Sequence, residues 1–298
     1  MSSDRVLRFV GYLFITLVIL LTLFPFALLV IVSFSSEASI ATTGYSLFPS
    51  SFSLAAYEYL YAQASQIINA YGITIFVTVV GTFFNVLMSV MFAYPLSRRD
   101  YPLHKAQMYF LLVTMMFNGG LVPTYLMYTN IFHIRDSLIA YLVPSLLMNA
   151  FNIILLRTYF VTNLPEELLE AARIDGAGEF RIFFRIVLPL SKPIIATVGL
   201  FAGIAYWNDW INGLYYVQDA KCFSLQVLLN HILTNAQFMQ SSAAQSSGQV
   251  AIAMQGATLP LTTMRLAIAV ISIVPLMIVF LSLQKYYTKG IAIGSLKG

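Results

Sequence analysis

Six long stretches of nearly uncharged, mostly apolar residues run through this chain, and no other feature constrains its fold so strongly. They cover roughly residues 9–34, 67–94, 108–128, 137–156, 193–217 and 266–283. A helix needs about 20 such residues to cross a bilayer, where every backbone N–H and C=O must be satisfied within the segment. The pattern predicts an all-α, polytopic membrane protein with six transmembrane helices, organised as one domain over residues 1–298. Composition excludes a soluble alternative, because charged residues are only 9% of the chain, against about 25% in a soluble domain. The first stretch follows Arg5 and Arg8 as a signal sequence would, and Ser39-Ile40-Ala41 offers a small-x-small site. Its apolar core exceeds the roughly 7–15 residues of a signal peptide, so it is predicted to stay as an anchor.

Lysine and arginine orient the helices, because short cytoplasmic loops are enriched in them. With the N-terminus inside, the inner set is Arg5, Arg8, Arg98, Arg99, Lys105, Arg157, Arg173, Arg181, Arg185, Lys192, Lys285, Lys289 and Lys297. The outer set is Arg135, Lys221 and Arg265. Both termini are therefore predicted to be cytoplasmic, and the net charge of +4 reflects this bias rather than a nucleic-acid partner. Outside, the loop over residues 218–260 has a helical pattern of its own, with Leu225, Leu228, Leu229, Ile232 and Leu233 on one face. That stripe either lies on the membrane or the bundle, or leaves polar residues such as Gln226 and Asn230 to dock an external partner. Residues 240–249 (QSSAAQSSGQ) are predicted to be a flexible loop.

The inner segment between the fourth and fifth stretches holds Glu166, Glu167, Glu170, Asp175 and Glu179 among Arg173, Arg181 and Arg185. Asn163 as cap, Pro165 as first helical residue and the acids behind them predict a helix start. Asp175-Gly176-Ala177-Gly178 then supplies turn chemistry, and Phe180, Phe183, Phe184 and Val187 give a second apolar stripe that closes at Pro189. Residues 162–190 thus read as a charged helix-turn-helix hairpin.

Catalytic signatures are absent from the sequence. It has no G-x-x-x-x-G-K-[ST] loop, no H-E-x-x-H and no G-x-S-x-G, and His104, His133 and His231 fall in separate loops. The single cysteine, Cys222, excludes an intramolecular disulfide. No catalytic residue, metal site or cofactor is predicted on this chain. One acid stands within an apolar stretch, in Trp207-Asn208-Asp209-Trp210. A charge at membrane depth costs about 3 kcal/mol or more unless it meets a cavity or a partner. Either the tryptophans anchor a helix end at the interface, or these residues line a polar, aromatic path, since sugars offer a CH face to indole and hydroxyls to Asn and Asp. In the third stretch Asn118-Gly119-Gly120 and Pro123 make an interruption of the kind that lines pores.

At the hairpin, Glu170-Ala171-Ala172, then Asp175-Gly176-Ala177, Phe183 and Ile186-Val187-Leu188-Pro189 resemble the EAA motif of permease subunits of binding-protein-dependent ABC importers. Trp207-Asn208 resembles the carbohydrate permeases of the maltose type. Gly119-Gly120-Leu121-Val122-Pro123-Thr124-Tyr125 and the C-terminal residues 284–298 resemble their lipoprotein-operon and polygalacturonan branch. The resemblance implies a type I ABC importer permease fold in a bacterial cytoplasmic membrane. It implies a second permease subunit, two cytoplasmic ATPases carrying ATP and Mg, an extracytoplasmic sugar-binding protein and a carbohydrate substrate, in particular an oligosaccharide. It also implies that Glu170, Ala171, Ala172, Asp175, Gly176 and Ala177 couple the permease to the ATPases. Two other classes compete: a secondary transporter or channel for small polar solutes, which would carry more intramembrane ionisable groups, and a membrane enzyme, which would need a catalytic constellation.

Overall fold

The structure, a computed structural model, describes residues 2–98, 100–144, 146–240 and 260–295. In chain order its helices are α1 (Ser2–Ser33), α2 (Glu37–Thr43), α3 (Ala55–Tyr61), α4 (Ala64–Ser97), α5 (His104–Met116) and α6 (Leu121–Leu126), which runs into a π turn (Met127–Ile131). Then come α7 (Ile139–Leu142), α8 (Ala150–Asn163), α9 (Glu166–Ile174), α10 (Glu179–Ile182) with a π turn (Phe183–Val187), and α11 (Leu188–Leu190). The last four are α12 (Lys192–Trp207), α13 (Ile211–Tyr216), α14 (Leu225–Gln240) and α15 (Leu261–Ser295). Contacts divide the chain into two units, Met1–Ile67 with Leu229–Pro275 and Ile68–Leu228 with Leu276–Gly298.

Three helices are long and apolar enough to cross a membrane unaided: Val6–Ser33, Ala64–Ser97 and Leu261–Val279. They match the first, second and sixth apolar stretches. The other three stretches are not unbroken helices, which corrects the sequence expectation at each. The third is a pair, His104–Met116 and Leu121–Ile131, bent by 111°. Gly120 takes a left-handed φ of 86° there, and its N–H donates to Asn118 Oδ1 at 2.9 Å. The fourth is divided between α7 and α8: Pro144 opposes helix at and before its own position, and Asn149 restarts the helix by capping the N–H groups of Phe151 and Asn152 at 2.9 and 3.3 Å. The fifth enters α12 through a 79° bend and stops at Trp207 before α13. Hydropathy registers the apolar side chains and is blind to the turn chemistry that interrupts them.

In the first unit, α1 is open to its surroundings along most of its length, as a lipid-facing helix is, and is buried only at its end, by Val32 and Ser33. Ser33 Oγ and Tyr57 Oη share a hydrogen bond of 2.8 Å, and Phe34 stacks on Tyr57. The Glu37 carboxylate accepts the N–H groups of Thr262 and Thr263 at 3.0 and 3.2 Å, which satisfies the open start of α15.

The second unit is built around Val90, Ala93, Leu96, Leu111, Ile153, Leu156, Phe160, Leu169, Ile182, Phe183, Val187 and Val198, drawn from α4, α5, α8, α9, α10, its π turn and α12. Backbones come close where α4 meets α12, since a Cβ on Gly81 would stand 2.5 Å from the Tyr206 ring. Asp136 accepts the N–H groups of Gln218 and Asp219, and these donors hold its carboxyl below the ordinary aspartate range. α14 is divided between the two units: Leu225 and Leu228 are buried in the second, Leu229 and Ile232 are buried in the first, and Leu233 is half-buried. The expected loop over residues 241–249 lies outside the described residues.

Candidate functional site

The hairpin begins one step later than the sequence suggested. Asn163 is the last residue of α8 rather than a cap, and the extended Pro165 (φ −63°, ψ 127°) precedes α9. The end of α9 explains its motif residue by residue. Gly176 N–H donates to the Arg173 carbonyl at 2.9 Å and Ala177 N–H to the Ala172 carbonyl at 3.0 Å, the bond pair of a Schellman closure. That closure needs a left-handed residue just past the helix, and Gly176 has φ 79°. It also brings the residues at Ala172 and Ala177 together, and both pack against the core. Of the six residues predicted to couple, Ala172 and Ala177 therefore point inward, while Glu170, Ala171, Asp175 and Gly176 are exposed. Beside them Ile174, which the sequence reading passed over, is 86% exposed, and Phe180, expected in the second apolar stripe, is 78% exposed.

A polar brace ties this hairpin to α4. Glu179 accepts from Arg173 Nε at 2.7 Å and from the Tyr94 hydroxyl at 2.8 Å, and Arg173 Nη2 lies 3.5 Å from Asp100. Burial alone would raise the Glu179 carboxyl, but the bonds from Arg173 and Tyr94 and the charges of Arg173 and Arg98 outweigh it, so it titrates below the ordinary glutamate range. The same bond raises Arg173. Arg173 and Glu179 thus clamp α9 to α10 across the Gly176 turn, and Tyr94 fastens the clamp to α4.

The second constellation lies at the break between α7 and α8. Leaving the helix frees backbone carbonyls inside the fourth apolar stretch, and each of three is taken by a side chain from elsewhere in the chain. Tyr206 Oη donates to the Leu142 carbonyl at 2.9 Å, Asn212 Nδ2 to Pro144 at 3.0 Å and Asn85 Nδ2 to Leu146 at 2.6 Å. Asp209 belongs to this arrangement. Its carboxylate accepts both the backbone N–H of Asn212, at 3.1 Å, and its Nδ2, at 2.9 Å, so it starts α13 and aims the carboxamide at Pro144. Asn208 is exposed and folds its side chain back onto the Ile204 carbonyl, while Asn118 is committed to its own turn. The two tryptophans part company: Trp207 is 6% exposed and Trp210 44%. Tyr125 and Tyr128 meet Tyr216 of α13 with ring centroids 5.8 and 5.9 Å apart, an aromatic cluster whose members are too far apart in sequence to be seen there.

The profile of the binding-protein-dependent transport system inner membrane component matches residues 105–293, a span that holds the hairpin, the break and α12. The chain belongs to that family. It is 34% identical over 296 residues to the polygalacturonan/rhamnogalacturonan transport system permease protein YtcP of Bacillus subtilis (strain 168), covering 99% of this chain and 100% of the relative. To protein LplC of the same strain it is 35% identical over 297 residues, covering 100% of this chain and 97% of the relative. The crystal structure of a bacterial ABC transporter involved in the import of the acidic polysaccharide alginate contains a chain that superimposes with a TM-score of 0.76 at 28% identity, covering 96% of this chain and 98% of that one. Family membership makes this an ABC importer permease subunit of the cytoplasmic membrane, non-catalytic, with ATP hydrolysis on separate chains. The channel, secondary-transporter and membrane-enzyme alternatives fall away.

Proposed function

We propose that this chain forms half of the translocation pathway of a carbohydrate importer, pairing with a second permease subunit and receiving an oligosaccharide from an extracytoplasmic binding protein. Two cytoplasmic ATPases, which carry the ATP and Mg, engage the hairpin. The observation that carries the coupling role is the hairpin's outward face, where Glu170, Ala171 and Asp175 surround a glycine turn next to bare Ile174 and Phe180. Exposed apolar side chains clustered beside a polar rim mark a surface that a partner covers. Behind that face the Arg173–Glu179–Tyr94 brace supplies the mechanical link to α4. On this reading the hairpin and both termini are cytoplasmic, in keeping with the lysine and arginine distribution.

The carbohydrate assignment is supported by the relatives, among them the melibiose/raffinose/stachyose import permease protein MelC of Bacillus subtilis (strain 168), 29% identical over 282 residues. Along the path, Trp210 offers an open ring to a sugar. Trp207 supports the wall from within, Asp209 holds Asn212, and Asn118 and Asn208 stand at the two helix breaks. On this reading Gln226 and Asn230 of α14 dock the binding protein, and the half-buried state of Gln226 and the exposure of Asn230 are compatible with that role.

The test is reconstitution. The four-chain complex in proteoliposomes is expected to accumulate labelled oligosaccharide only with ATP and the binding protein present. ATP-independent uptake by this chain alone would overturn the proposal.

A further inference from the structure

The break between α7 and α8 borders an open cavity of about 220 Å³, lined by the buried Asn85, Asn152 and Tyr206 and by the exposed Asn149, Phe151 and Phe201. Asn85 and Asn152 are buried, yet their hydrogen-bonding capacity is only partly used. Asn85 gives one N–H to the Leu146 carbonyl, and Asn152 Nδ2 reaches Asn85 Oδ1 only at 3.5 Å. Asn149 uses its Oδ1 to cap α8. Among the described residues, no protein donor meets Asn152 Oδ1 and no protein acceptor meets Asn149 Nδ2. A carboxamide N–H on the exposed Asn149 and a carboxamide oxygen on Asn152 are thus open to a ligand at one polar cavity, beside two aromatic rings.

Each carboxamide both donates and accepts, which matches hydroxyls that do the same. The rings offer flat apolar faces for the CH side of a sugar. No charged side chain lines the cavity, so it reads hydroxyls and offers a carboxylate no cation. Its volume falls below the roughly 300–1,000 Å³ of pockets that enclose a whole drug-sized ligand, so it takes one sugar ring at a time.

We propose that this cavity is a glycan subsite carried by this subunit itself, in which Asn149 and Asn152 bind the hydroxyls of one sugar ring and Phe151 and Phe201 flank its faces. The proposal rests on the carbohydrate reading above. Asn85, Tyr206 and Asn212 hold the break, whereas the free groups of Asn149 and Asn152 hold nothing, and that difference makes the subsite separable from the scaffold.

The experiment uses the full complex in proteoliposomes with labelled oligogalacturonides and, separately, labelled malto-oligosaccharides. If wild type takes up neither, the carbohydrate reading itself fails and the subsite with it. With a glycan that is taken up, Asn152→Leu and Asn149→Asp, which keeps the cap, are each expected to lower the initial uptake rate about tenfold, equal to about 1.4 kcal/mol. Binding-protein-stimulated ATPase activity should stay at the wild-type value in both variants, and the thermal midpoint of the complex in Asn149→Asp, which removes no buried hydrogen bond. In a Cys222→Ser background, the same glycan should slow thiol labelling of Asn149→Cys in complexes held with a non-hydrolysable ATP analogue. Wild-type uptake in both variants, labelling indifferent to the glycan, or, in Asn149→Asp, a thermal midpoint that falls in step with uptake would each overturn the subsite.

Discussion

The hairpin of residues 162–190 and the break between α7 and α8 both interrupt helix, and they are stabilised in opposite ways. The hairpin closes on its neighbours: its turn bonds run from Gly176 to Arg173 and from Ala177 to Ala172, and its ion pair joins Arg173 to Glu179. The break closes on distant donors, with Asn85, Tyr206 and Asn212 lying 61, 64 and 68 residues from the carbonyls they satisfy. The difference follows from the solvent. At a water-facing hairpin the remaining carbonyls can turn to water, so a short motif is enough. At the break the freed carbonyls turn into the protein, and each is met by a side-chain donor from another part of the chain.

The sharpest way to break this contrast is at Gly176. A Cβ there would have open space around it, so a substitution acts through the backbone strain of the left-handed turn and through the outward surface alone. Gly176→Val should cost about 1 kcal/mol or more at the turn and abolish uptake, with insertion and pairing to the second permease intact. Gly176→Asn, which tolerates that conformation, should keep most activity. ATPase co-purification and uptake read the outcome, and wild-type behaviour of the valine variant would remove the hairpin from the coupling role.

At the break the expected effect is on stability instead. Asn212→Leu strips donors from both the Pro144 carbonyl and the Asp209 carboxylate, at about 1–3 kcal/mol for each buried group left unpaired. The thermal midpoint of the purified complex should fall by roughly 4–10 °C. A midpoint within about 1 °C of wild type would mean that the Pro144 carbonyl does not depend on Asn212.

A smaller effect separates the brace from mere surface charge. Arg173 and Glu179 are partly exposed, so their pair is worth at most about 1 kcal/mol in stability. Arg173→Glu should nonetheless lower transport per ATP a few-fold, with Arg173→Glu/Glu179→Arg restoring it, because the clamp sets the angle of the hairpin. No recovery in the double variant would assign the loss to another contact of Arg173.

The smallest effect concerns pH. Since the folded-state Glu179 carboxyl lies below its ordinary 4.5, the brace contributes fully above that value and is lost as pH falls through the lowered one. Acid titration of hairpin mobility should show this limb in wild type and lack it in Glu179→Gln.

These two regions also differ in how far they could be read in advance. The Asp175-Gly176-Ala177 turn was legible because all its partners lie within a few residues. The brace was not, because Tyr94 and Glu179 meet only through folding, 85 residues apart. Asp209 stood out in the sequence as the one acid within an apolar stretch, but its bonds to Asn212 and the inward turn of Trp207 came only with folding.

Length, apolar stretches and a local turn motif were enough to determine the all-α membrane class and the hairpin, because those properties depend on solvent preference and on bonds between near neighbours. Only the tertiary structure decided where the third, fourth and fifth stretches break, which of the EAA-like residues face outward and which asparagines keep free hydrogen-bonding groups. The physical reason is that a polar group turned into the protein is defined by whichever donor or acceptor reaches it, and for Leu142, Pro144 and Leu146 that donor comes from another part of the chain.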